Sequence, residues 1–92
     1  MRVIFVCPPF QGKSENLERA KRYCRFVLER GYIPIAPNVY FSQFMNDLNP
    51  EDRRKVLEMN KKLLDFCDEL WIFGDEITEG MKGEIEYALS FN

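Results

Sequence analysis

The chain predicts a small three-layer α/β domain: a parallel sheet of about three strands in the order 2-1-3, with helices on both faces. Three observations carry this. Residues 3 to 7, VIFVC, form a continuous β-branched apolar run closed by Pro8 and Pro9, as expected of a strand buried on both faces. Strand-like and helix-like segments alternate along the chain, which implies parallel pairing through crossover helices. The second strand contains Pro34, which cannot donate to a ladder and so belongs at a sheet edge, leaving the first strand central.

Taken in order, VIFVC is the first strand. Ser14 is a suitable cap for a helix over about 15 to 30, whose apolar positions Leu17, Ala20, Cys24, Val27 and Leu28 keep helical spacing. Gly31 ends that helix in the left-handed conformation. YIPIAP, 32 to 37, is the second strand. NVYFSQFMNDL has no clean period and is expected to be a long loop that can include a helical turn. Asn49, Pro50, Glu51 and Asp52 announce a further helix to about Phe66. DELWIFG, 68 to 74, is the third strand, and EGMKGEIEYALSF a last helix with Met81, Ile85, Ala88 and Leu89 on its core side.

The whole chain, 1-92, is read as one domain, because 92 residues are too few for two cores. With 46% hydrophobic and 30% charged residues, the composition is that of a folded globular protein rather than a disordered one. Thirteen basic against fifteen acidic residues give a net charge of -2, without the excess of positive charge that gripping a nucleic-acid polymer requires. No apolar run approaches the ~18 residues of a membrane span, so no membrane partner is expected. Cys7, Cys24 and Cys67 are odd in number and widely spaced, and the chain has no histidine and no signal peptide. A disulfide framework and a metal site are therefore not expected, and the anticipated location is the cytoplasm. Each thiol lies in an apolar stretch and is read as buried and structural. No cofactor is expected.

In parallel sheets ligands bind at the carboxyl ends of the strands, here the loops CPPFQGKS, APNVYF and GDEITEG. Gly12, Lys13 and Ser14 match the end of a phosphate-loop pattern, but its first glycine would fall at Cys7, so the pattern fails. The loop remains open to two readings, an anion site at a helix amino terminus or a solvated turn. In the last helix, Gly80 and Gly83 stand in one turn although each costs about 1 kcal/mol against alanine there, which suggests a ligand approaching the backbone. Glu84 follows one turn after Gly80, where the helix dipole favours an ionised carboxylate. The alternative is that Glu79, Glu84 and Glu86 form a solvated face. For Asp68 the alternatives are a second functional carboxylate and a turn aspartate.

GMKGEIEYA (80 to 88), preceded by CDELWIF and by a strand and loop of the type FVCPPFQG, resembles the nucleoside 2-deoxyribosyltransferase-like superfamily. The resemblance spans nearly the whole chain, and its closest match is a set of small bacterial and phage domains. It implies a flavodoxin-like sheet and cleavage of the N-glycosidic bond of nucleosides or their 5′-monophosphates through a glutamate nucleophile. The glutamate of the closing pattern falls on Glu84, with Gly80 and Ala88 in register. The aspartate at the head of the preceding strand falls on Asp68, which would orient or protonate the departing base. Thr78 falls where nucleotide-hydrolysing relatives carry a phosphate-binding serine.

The resemblance further implies that Pro8, Pro9, Phe10, Gln11 and Gly12 of the opening loop, with Thr78 and Gly80, hold the sugar or phosphate, and that Tyr40 and Phe41, with Phe44, lie near the cleft or an interface. Pro9 and Gln11 depart from the serine and arginine of the nucleotide hydrolases, and Glu86 replaces a common glycine. The chain also stops where the family continues into a fourth strand, which would expose an edge of the third. The expected partners are a nucleoside or nucleotide and further copies of the chain, a homodimer or larger. A non-catalytic module that captures or senses a nucleotide in the same cleft is the competing expectation, and hydrolase and transferase remain open.

Overall fold

The computed structural model describes residues 1–10, 13–46 and 48–90. Its order is β1 (Val3–Cys7), α1 (Ser14–Glu29), β2 (Ile33–Ile35), α2 (Pro37–Phe41), α3 (Pro50–Leu64), β3 (Glu69–Ile72) and α4 (Glu79–Leu89). The three strands form one parallel sheet in the order β2-β1-β3. Val3 to Phe5 pair with Ile33 to Ile35, and Ile4 to Cys7 with Glu69 to Ile72.

The pleat of β1 sends alternate side chains to opposite faces. Ile4 and Val6 pack with Val27 of α1, Trp71 and Phe73; Phe5 and Cys7 pack with Leu64 of α3 and with Met81 and Ile85 of α4. This accounts for the unbroken apolar run: a central strand covered on both sides has no face to give to water. Pro34 lies in the edge strand β2, where its missing N–H costs no ladder bond.

Local signals set most of the helix ends. Asn49 caps α3, its side-chain oxygen accepting from the backbone N–H of Glu51 at 2.9 Å and of Asp52 at 3.2 Å. Gly31 follows α1 at φ +87°, a conformation that favours glycine. Three expectations are corrected. The cap position of α1 is Lys13 rather than Ser14, with no side-chain cap bond. Pro37, expected in the second strand, instead opens a short helix, α2, at its first position. Leu89, expected in the core, is 65% exposed and borders the open cavity beside β3.

Gly74 sits just beyond β3 at φ +89°. A Cβ there would meet Cδ of Pro9 at 2.9 Å, so the loops leaving β1 and β3 touch at this glycine.

Candidate functional site

The site forms where β1 ends. Cys7, the last residue of β1, is fully buried, and Pro8 and Phe10 turn the chain away from the sheet. Asn16 of α1 holds this turn by donating its side-chain N–H to the Phe10 carbonyl at 2.6 Å. On the opposite side α4 begins. Thr78 is its cap residue, with Oγ1 accepting from the Met81 N–H at 3.3 Å. That cap uses the oxygen as an acceptor and leaves the O–H able to donate.

Between the two lies a cleft of about 360 Å³ lined by Pro8, Phe10, Arg53, Asn60, Thr78, Gly80 and Glu84, among others. Glu84 is only 7% exposed. Its Oε2 accepts from Nδ2 of Asn60 at 2.7 Å and its Oε1 from the Cys7 thiol at 3.3 Å. Burial pushes the carboxyl of Glu84 above its ordinary value, opposed by the two hydrogen bonds from Cys7 and Asn60. The Cys7 thiol is pushed far above its own range by burial first and by the neighbouring Glu84 second. Glu84 is therefore a buried group with specific partners, and it is not part of a solvated acidic face.

A second cavity of about 300 Å³ adjoins the first and shares Phe10, Asn38, Leu48 and Val56 with it. Phe41 and Met45 give this end an apolar wall, and Lys13 and Ser14 line it from the start of α1. Together the two make one groove across the carboxyl end of β1, one half carrying the carboxylate and the other aromatic surface.

Of the residues expected at the site, Pro8, Phe10, Thr78, Gly80 and Glu84 converge on the cleft, and Phe41 lines the adjoining cavity. Tyr40 is 61% exposed and instead packs its ring against Phe41 and Phe44, at centroid distances of 5.4 and 5.2 Å. Pro9 lines a separate hollow with Arg19, Tyr23 and Gly74. Gln11 and Gly12 lie outside the described residues.

Asp68 requires a correction. Its Oδ2 accepts from the Val3 N–H at 2.7 Å, and its own N–H donates to the Val3 carbonyl at 2.7 Å. Val3 opens β1 and Cys7 closes it, so Asp68 and Glu84 are anchored at opposite ends of one strand, about 13 Å apart along it. Asp68 borders a different and larger cavity, of about 770 Å³, beneath the β3 edge. The two carboxylates do not share a cleft, and the turn-aspartate alternative describes Asp68.

Two contributors escaped the sequence reading. In the sequence Cys7 carries only the signature of a core thiol. Asn60, 2% exposed, was not singled out, although a signal was present: it falls on the same α3 stripe as Val56, Leu57, Leu63 and Leu64, at i+3 and i+4 spacing where apolar residues belong. A polar residue in an apolar stripe must find a buried partner, and Glu84 is that partner.

A family model described as Domain of unknown function (DUF7768) matches residues 2–92. No curated protein and no solved structure matches the chain.

Proposed function

The chain belongs to that family of unknown function, and from its site we propose that it is a nucleoside or nucleotide N-glycosidase or deoxyribosyltransferase-like enzyme with Glu84 as nucleophile. One observation carries the reading. A carboxylate otherwise excluded from water lines a cleft beside a helix amino terminus, oriented by donors from two other elements, Cys7 of β1 and Asn60 of α3. Side chains held this way are pre-positioned for attack. The likeness of GMKGEIEYA to the deoxyribosyltransferase-like superfamily supplies the substrate class.

In the reaction proposed, a Glu84 oxygen forms a bond to the anomeric carbon while the glycosidic C–N bond breaks and its electron pair leaves with the base. The base takes a proton from water, since Asp68 is too distant to supply one. Water then displaces Glu84 from the glycosyl-enzyme and restores the carboxylate; in a transferase a second base does so. Gly80 leaves room for the sugar beside α4. The Thr78 hydroxyl, the first N–H groups of α4 and Arg53 at the cleft wall are the groups suited to a 5′-phosphate. Phe10 and Phe41 offer surface for the base.

The second reading, a non-catalytic module that captures or senses a nucleotide, draws on the placement of Asp68: the cleft lacks the second acid that would assist departure of the base. Incubation with a panel of nucleosides and 5′-monophosphates, with and without an acceptor base, separates the two. Free base that disappears in Glu84→Ala supports the enzyme, and dependence on acceptor marks a transferase. No free base, with a nucleotide raising the melting temperature, supports the binding module.

The same reading includes a homo-oligomer and a cytoplasmic location. Support for the oligomer is the outer edge of β3, which among the described residues pairs only with β1 and carries Ile72 and Leu89 exposed beside it.

A further inference from the structure

We infer that Cys7 and Asn60 are positioning residues for Glu84, a two-point clamp that fixes both oxygens of its carboxyl group at the cleft. The inference rests on the reading of Glu84 as nucleophile for its functional meaning, but its physical content is testable without turnover.

The geometry is specific. Each carboxylate oxygen has its own donor, the amide of Asn60 on Oε2 at 2.7 Å and the thiol of Cys7 on Oε1 at 3.3 Å. The donors come from α3 and β1, separated in sequence from Glu84 by 24 and 77 positions. The carboxylate is thus fixed relative to the sheet and not only to its own helix. All three side chains are buried, which limits competition from water for these bonds. Removing a donor from a buried ion leaves the charge uncompensated rather than resolvated.

The clamp also has a chemical asymmetry. An asparagine amide has no titration, and the Cys7 thiol, surrounded by apolar strand residues and facing a carboxylate, stays protonated well beyond the range in which thiols ordinarily ionise. Around neutral pH both donors therefore keep their protons, and Glu84 is the member of the clamp whose charge responds to pH. The charged groups facing it besides the clamp are Arg53 from α3 and Glu79 from α4, both exposed at the cleft wall and screened by solvent. Burial opposes ionisation and is the larger influence on Glu84, and the two hydrogen bonds to the charged form offset part of it.

Cys7 is a better choice here than a bulkier donor would be. It closes a central strand whose opposite neighbour is the fully packed Val6, and a thiol both fills that apolar space and donates a weak hydrogen bond. Serine would keep the donor, and alanine would remove it with little change of volume.

The test follows the Glu84 carboxyl carbon by NMR as pH is varied, in protein labelled with carbon-13 at glutamate, the signal being identified by its loss in Glu84→Gln. Cys7→Ala and Asn60→Ala are each expected to lower the Glu84 ionisation constant about threefold or more, given the strength of donors to a buried charge, and Cys7→Ser to return it towards the parent value. Where base is released, the acid limb of its pH profile moves with the same constant, a shift that a merely structural role would not produce.

Melting curves establish which variants are folded. Should Asn60→Ala not fold, the Cys7→Ala and Cys7→Ser pair carries the test. A Glu84 titration unchanged in folded Cys7→Ala overturns the clamp, even if base is still released. A shifted titration in a protein that releases no base upholds the clamp and counts against the glycosidase.

Discussion

Asp68 and Val3 exchange two hydrogen bonds of 2.7 Å, the aspartate carboxylate accepting from the Val3 N–H and the Val3 carbonyl accepting from the Asp68 N–H. The exchange brings β3 onto β1 at the start of the sheet, four residues from the thiol that touches Glu84. This gives Asp68 a role in strand registration, at the end of β1 remote from the cleft.

Asp68→Ala is therefore expected to lower stability by about 1 kcal/mol, below the ~1.5–3 kcal/mol of a hydrogen bond to a charged group because this one is exposed to solvent. Base release or nucleotide affinity should stay at the parent level. Chemical denaturation and the substrate panel check the two halves; loss of activity in a fully folded variant would return Asp68 to the chemistry.

The two glycines of α4 separate a ligand effect from a helix effect. A Cβ at Gly80 or at Gly83 would meet nothing within 4 Å, so alanine fits the fold at both positions. Each substitution should raise helix stability by about 0.5–1 kcal/mol. Gly80 lines the cleft and Gly83 does not. Gly80→Ala is expected to weaken nucleoside or nucleotide binding while Gly83→Ala leaves it unaltered, read by melting temperature without ligand and by calorimetric titration with it.

Glu84 links stability to pH with a defined sign. Its carboxyl lies above the ordinary value of 4.5 because burial penalises the ionised form. The folded chain therefore holds the proton more tightly than the unfolded chain. The corresponding stabilisation is complete below 4.5 and is lost as pH rises through the folded value. Glu84→Gln removes that cost, and Asn60, whose Oδ1 has no hydrogen-bond partner among the described residues, can turn its amide to accept from the new side chain. The variant should melt higher than the parent at neutral pH, with the difference shrinking as pH approaches 4.5. A difference independent of pH would contradict the sign.

The edge of β3 gives a prediction about assembly. Ile72, 48% exposed at the end of that strand, is expected at a contact between copies. Sedimentation at micromolar concentration should show an oligomer for the parent and a smaller species for Ile72→Lys, since charge on an edge opposes pairing. A monomeric parent would remove the oligomer from the proposed function.

Much of this molecule is determined locally. The order of elements, the central place of VIFVC, the edge place of the strand with Pro34, the Asn49 cap and the left-handed Gly31 all follow from periodicity and from residues with few backbone options. Glu84 is also marked out by the glycines before it. Only the tertiary structure decided what surrounds it. Asn60 and Cys7 lie 24 and 77 positions away, and pairing at such separations depends on how α3 and β1 pack, which no local pattern records. The same reason separates Asp68 from Glu84: sixteen positions apart in the chain, they are sent to opposite ends of the sheet because β3 and the loop after it run the length of β1 between them.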